Sequence, residues 1–506
     1  MTGSGDVWAT RAIDWAAIAA LGAAAAVALA IALLPLTWAF LLVFGGIAVA
    51  GTLLRPQFGL LLILAAVPFG SLRQMQVGVM SVGATEVLVA LLLAAWLMRM
   101  IAHREVRIGL PWLGVPLLLF LGAMLVSLLI TTSLEYSLKE IVKWVEVLAI
   151  YLFVTHEVDE RWARLLVMAL LGIGAVAALQ GIYQFLFQVG PEGFILFDRF
   201  MRAYGTFEQP NPYGGYLGLT LPLSLGLVTA GVVRLRSRRP DGPASGTASF
   251  AVGERIKGWW LVWAGGCGAL MLAALVMSWS RGAWLGVAAG VAVIGVAVLA
   301  RSSRAAVLAV VLVALVAPPV LLAVGLGRIG LPSSIVQRLS DFVPYLSVED
   351  VRGVEITDSN YAVLERMAHW QAAVGMWTDH PWLGVGIGNY EPVYPRYALP
   401  FWSVPLGHAH NYYLNIAAET GIVGLAAYVL LWAVALLGAW RAAHRASGWQ
   451  AGVSLGILGM LLHLSVHNLV DNLYVHGMYL QLAILLGMVP FLTRRSDRPD
   501  AHRHGP

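Results

Sequence analysis

A single cysteine, Cys267, stands in a chain of 506 residues, which excludes an intramolecular disulfide and a thiolate-held metal cluster. Charge is nearly as scarce. Only 12% of the residues are Asp, Glu, Lys or Arg, about half the share of an ordinary globular domain, while 59% are hydrophobic. A chain of this length with so few charged side chains cannot cover several globular surfaces, so lipid has to solvate most of it. The mean hydropathy of +0.78 requires the same. The net charge of +5 does not imply a nucleic-acid partner, because the basic residues lie in short loops between apolar runs.

What is present is a succession of apolar runs. A helix rises 1.5 Å per residue, so about 20 residues cross a hydrocarbon core about 30 Å thick. Fourteen runs fit or approach that length. They are Ile13 to Leu34, Leu36 to Leu54, Phe58 to Phe69, Ala84 to Ala102, Pro111 to Ile130, Ile141 to Thr155 and Leu165 to Phe187, then Tyr213 to Val233, Gly258 to Met277, Ala283 to Ala300, Ala305 to Val324, His410 to Trp440, Ala451 to Val470 and Tyr474 to Leu492. The alternation of a barrel strand is missing, so each is predicted to be a helix that satisfies its own backbone in lipid. The expectation is an all-α polytopic membrane protein with about 12–14 transmembrane helices and one long, partly helical outer loop.

Lys and Arg orient the spans. With a cytoplasmic N-terminus, most of them, including Arg99, Arg104, Arg234, Arg236, Arg441 and Arg494, face inside, and both termini are cytoplasmic. The chain then divides into N-terminal helices (1–200), helices carrying candidate arginines (201–327, with a cytoplasmic linker at 234–257), an extracytoplasmic loop (328–408), C-terminal helices (409–493) and a cytoplasmic tail (494–506). Within the loop, Leu364, Met367, Val374 and Trp377 at helical spacing predict a helix over Asn360 to Thr378, stopped by Asp379, His380 and Pro381.

Three polar blocks fall on the outer side: Arg202 to Pro212, the short hairpin Ser278 to Gly282, and His408 to Gly424. An interfacial arginine often only anchors a helix, but Arg202 sits in Gly, Pro and Asn turn chemistry and Arg281 is the one charge of its hairpin. Two guanidinium forks match a diphosphate, each able to make paired bonds to phosphate oxygens. His410 is expected to begin a helix, whose positive end favours a neutral imidazole able to accept a proton, with helix capping as the plainer reading. Glu419 lies deep in that helix, one turn beyond Asn415, as a functional acid or a link to a neighbouring helix. His463, His467 and Asp471, at i, i+4 and i+8, are read as polar glue on one helix face, the spacing of a metal site notwithstanding.

His410-Asn411, followed by Gly421 and Gly424, fits the His-[Asn/Ser/Gln]-x9-Gly-x-x-Gly signature of the bacterial O-antigen ligases. The chain resembles the wider O-antigen ligase and polymerase superfamily over roughly Arg202 to Leu430, through four blocks in family order: Arg202-x-x-Gly205-x-Phe207, Ser280-Arg281-Gly282, Arg366-x-x-x-Trp370 with Pro381-x-x-Gly384-x-Gly386, and the histidine block. The resemblance implies a lipid-donor glycosyltransferase of GT-C-like architecture in the plasma membrane. It would pass a glycan from undecaprenyl diphosphate to a glycan or lipid acceptor hydroxyl on the outer face, with inversion and without metal or other cofactor. Arg202 and Arg281 match the donor-binding arginines and His410 the catalytic base, with Glu419, Arg366, His408 and Asn411 as supporting candidates. Polymerase or protein O-oligosaccharyltransferase activity within the superfamily, and a bicarbonate-type transporter outside it, are the alternatives.

Overall fold

The computed structural model describes residues 35–70, 75–78, 80–105, 109–236, 258–301, 340, 342–345, 348, 350–357 and 360–493. Two expected spans, Ile13 to Leu34 and Ala305 to Val324, lie outside them, as does most of the 234–257 linker. All twelve others coincide with helices: α1 (Leu36–Leu54), α2 (Pro56–Ala66), α3 (Ala84–His103), α4 (Gly114–Ser127), α5 (Leu134–Glu157), α6 (Glu160–Phe187), α7 (Pro210–Arg236), α8 (Gly258–Met277) and α9 (Arg281–Leu299), then α12 (Tyr412–Arg445), α13 (Gly448–His467) and α14 (Met478–Thr493). Between α9 and α12 the loop carries α10 (Tyr361–Asp379), as the spacing predicts, and a single turn, α11 (Tyr390–Val393). The sheet content described is two small hairpins, β1 (Met75–Val77) with β2 (Met80–Val82) and β3 (Ile195–Leu196) with β4 (Phe200–Met201). The chain is an all-α polytopic membrane protein. Eight of its described helices are long and apolar enough to cross a membrane.

Two spans differ from the apolar runs. Helix α2 has 11 residues, about half of what a crossing takes, because Pro56 starts it and the turn after Ala66 ends it. Helix α5 starts seven residues ahead of its apolar run at Leu134, since charged side chains such as Glu135, Glu140 and Lys143 are compatible with helix when one face is polar.

Helices α7 and α13 form the axis of the bundle, with α9 packed on both. Burial follows: among the described residues, 78% of the α13 span is inside the protein, against 12% for α1. In hydrocarbon, helices gain little from burying apolar surface and associate through close packing, for which small residues leave room. A Cβ on Gly226 of α7 would stand 2.3 Å from Gly452 O and 2.5 Å from Gly456 N of α13, so the two backbones touch there. Gly226→Ala therefore forces the axis apart. It is expected to lower stability by about 1–3 kcal/mol, read as a lower melting temperature in detergent.

Candidate active site

The Arg202 block is a turn held by its neighbours. Gln184, an amide inside the apolar helix α6, accepts from Tyr204 N at 3.1 Å and Gly205 N at 2.7 Å and donates to Gly205 O at 2.8 Å. Thr206 Oγ1 donates to Pro68 O behind α2. Arg202 Nε then donates to Ser278 O at 3.0 Å and Nη2 to Asn211 Oδ1 at 2.9 Å, while Ala203 N donates to Met277 O. The first two sequence blocks are thus joined directly. Arg202 and Arg281 are both half-buried, Arg281 as the first residue of α9.

The histidine block enters the bundle differently from the sequence expectation. Asn411, not His410, caps α12, its Oδ1 accepting from Tyr413 N at 3.0 Å and Leu414 N at 3.1 Å. His410 lies one residue outside the helix in the left-handed region, at φ 51°. That conformation is uncommon for a residue with a Cβ and has to be held by its surroundings. Here Trp370 Nε1 donates to His410 O at 3.3 Å, His410 N donates to His408 Nδ1 at 3.0 Å, and Asn415 Oδ1 accepts from Ala409 N at 3.0 Å. The turn presents His410 Nδ1 to Asp471 Oδ1 at 3.5 Å, an ion-pair contact, and both ring nitrogens are buried with no closer hydrogen-bond partner among the described residues.

Asp471 corrects the helix-face reading. Helix α13 ends at His467, and the turn that follows, with Val470 N on His467 O and Asn468 Oδ1 accepting from Leu473 N, carries Asp471 off the helix and toward His410. His463 and His467 stay in the bundle, stacked edge to face at 5.4 Å. The same turn receives the other blocks. A Cβ on Gly282 would lie 2.8 Å from His467 Cδ2 and 2.9 Å from Val470 Cγ2, so the Arg281 hairpin abuts it. Arg366 Nε donates to Val470 O at 3.2 Å, and Phe207 meets His476 edge to face at 5.8 Å. Arg366 and His410 therefore meet at one turn between α13 and α14, which the Arg281 hairpin abuts through Gly282, and Arg202 is tied to that hairpin through Ser278 O.

Glu419 makes its contact with the loop, its Oε1 accepting from Tyr390 N at 3.1 Å. Two residues on, α12 breaks at Gly421, with φ 62° and ψ −162°. The break frees backbone groups, and the loop supplies their partners: Ile422 N donates to Pro381 O at 2.8 Å, and Val385 N to Ala418 O at 2.9 Å. A Cβ at Gly421 would stand 2.2 Å from Trp382 C, so this position of the signature admits only glycine. Asn389 extends the clamp to the α4–α5 turn, accepting from Ser133 N at 2.6 Å and donating to Thr131 Oγ1 at 2.7 Å. Gln184, Asn389 and the Asp471–His410 pair were not found from sequence. The only local sign of the first was an amide in an apolar span.

Three imidazoles crowd the site. His369, buried in α10 with Nδ1 2.8 Å from Tyr390 Oη and its ring stacked on Tyr394, lies edge-on to His410 at 5.6 Å; His408 lies 4.4 Å from His410 on the other contact. Burial first, then the neighbouring His410, holds His369 down to about 4 and His408 down to about 3. Burial works against the Asp471 carboxylate, but the His410 bond and charge, with Arg366 and His408, hold its pKa well below the usual carboxylate range.

Residues 266–429, about a third of the chain, match the O-antigen ligase family. The matched segment contains Arg281, Arg366, His408, His410, Asn411 and Glu419, and stops short of Arg202 on one side and Asp471 on the other. No curated protein matches the chain.

Two outcomes follow from these contacts. Gly421→Ala should undock the loop, seen as faster protease cleavage and amide exchange across Trp382 to Tyr390, with α12 retained. An unfolded imidazole titrates near 6.5, so below that pH the unfolded chain takes up protons that His369 refuses until about 4. Stability is then fully present above pH 6.5 and is lost as pH falls toward 4. Melting temperatures between about pH 7 and pH 4.5 should decline for the wild type and less steeply for His369→Gln.

Proposed function

We propose that this chain, which carries an O-antigen ligase domain, transfers a glycan from undecaprenyl diphosphate to an acceptor hydroxyl on the outer face of the plasma membrane. The observation that carries this reading is the turn after α13, where the Arg281 hairpin, itself bonded to half-buried Arg202, abuts the residues beside the carboxylate-paired His410. Arg202 and Arg281 hold the donor diphosphate and neutralise the charge that develops as the anomeric carbon–oxygen bond breaks. Arg202 is already oriented by Ser278 O and Asn211 Oδ1, so little side-chain freedom remains to be lost on binding.

His410 is the base. The Asp471 carboxylate at Nδ1 selects the tautomer with its proton on that nitrogen and leaves Nε2 to take the proton of the acceptor hydroxyl. The acceptor oxygen attacks the anomeric carbon from the face opposite the diphosphate, which inverts the configuration there, and the diphosphate leaves with the bonding pair. No metal or other cofactor takes part. Arg366 acts at one remove, holding Val470 O and with it the turn that carries Asp471. The acceptor is a glycan or lipid-linked sugar. The ligase reading stands ahead of polymerase and protein-directed transfer on the histidine block and the family matched.

Purified protein in lipid, given an undecaprenyl-diphosphate glycan and a panel of acceptors, tests this. Wild type should transfer; His410→Ala should lose about 10²–10⁴-fold, Arg202→Ala and Arg281→Ala each on the order of 10²-fold or more, and Asp471→Asn an intermediate amount. Transfer by His410→Ala at the wild-type rate, or none by the wild type with any acceptor, overturns the proposal.

A further inference from the structure

His408, His410 and Asp471 each offer one ligand atom, and these three atoms lie within 4.8 Å of one another. Two imidazoles and a carboxylate form a donor set that suits divalent first-row transition ions, which bind neutral ring nitrogens and carboxylate oxygens. A tetrahedral zinc ion with bonds of about 2.0–2.1 Å places its ligand atoms roughly 3.3 Å apart. His410 and Asp471, at 3.5 Å, already stand at that separation. His408 closes the remaining gap by moving at most about 1.5 Å. The side chains of His410 and Asp471 are 17% and 11% exposed, and both ring nitrogens of His410 are buried without a hydrogen-bond partner among the described residues.

The groups facing this cluster set its strength. Arg366 is the positive neighbour and weakens binding of a cation, and His369 and Trp370 add no negative charge. Asp471 is therefore the one carboxylate of the cluster among the described residues, and the site is a moderate one, filled by added ion and emptied by a chelator.

We infer that His408, His410 and Asp471 form a binding site for a zinc-type divalent ion, and that the ion inhibits transfer by occupying the imidazole that serves as base. This rests on the role given to His410 above. Ligation through Nδ1, the atom that faces Asp471, moves the ring proton to Nε2, so the lone pair that accepts the hydroxyl proton is lost, and it takes Asp471 away from its orienting contact. The ion carries no step of the reaction.

The full-length protein, purified in detergent without a polyhistidine tag, is titrated with Co²⁺ alone and followed by visible absorption. Bands of tetrahedral cobalt should grow to one equivalent, disappear on adding Zn²⁺, and weaken at least about tenfold in apparent affinity in His408→Ala and Asp471→Asn, with circular dichroism confirming that both variants fold. Zn²⁺ should stop glycan transfer by the wild type, EDTA should restore it, and His408→Ala should need about tenfold more Zn²⁺ for half-inhibition relative to its own ion-free rate. Absent bands, or bands equal in both variants, overturn the site. Loss of wild-type transfer on EDTA treatment alone overturns the inhibitory role, since the ion would then be a working part. Cobalt bands that follow the ligands in a protein that transfers nothing support the site and overturn the proposed activity.

Discussion

The break of α12 at Gly421 is the constraint on which the rest of this end of the molecule depends. In a bilayer, backbone N–H and C=O groups cannot turn to water, so a helix that breaks at membrane depth needs protein to satisfy what it frees. The segment from Pro381 to Val385 does this, and it can do so only because Gly421 has no Cβ in the path of Trp382. Once that segment is docked, Glu419 on Tyr390 N and Asn389 on the α4–α5 turn complete the seal. The segment from Pro381 to Tyr390 is thereby a fixed wall of the site, and α10 packs on it.

A fixed α10 explains the position of His410. Its left-handed backbone is held by Trp370 from α10, by His408 and by Asn415. Asn411 ends the helix behind it, so the imidazole leaves the bundle at a set angle toward Asp471. Asn411 and Gly421 of the signature thus serve geometry: one cap and one break.

The arginines are organised by the opposite wall. Gln184 shapes the turn of Arg202, and Ser278 and Asn211 take its hydrogen bonds. The Arg281 hairpin rests on His467 and Val470 because Gly282 leaves room. The Arg281 hairpin and the carboxylate-paired imidazole both border residues 468–472, one through Val470 and the other through Asp471. Arg366 bonds to the carbonyl of Val470, next to Asp471, so the turn cannot move without disturbing both walls.

The helices themselves were legible because lipid solvation is a local demand: twelve apolar runs could be located from hydropathy alone, as could α10 from its spacing and the blocks of Arg202, Arg281 and His410 from their turn chemistry. Hydropathy also overran at α2 and fell short at α5, where a proline, a turn or a polar helix face sets the end. The pairing of Asp471 was decided only by the tertiary structure. In sequence it is spaced to share a face with His463 and His467, and a helix ending at His467 instead sends it to a histidine 61 positions earlier. Gln184 and Asn389 were equally silent. A polar side chain inside an apolar run announces that it needs a partner, but which backbone it meets depends on how distant helices pack, and packing in lipid is chosen by shape rather than by hydrophobic pattern.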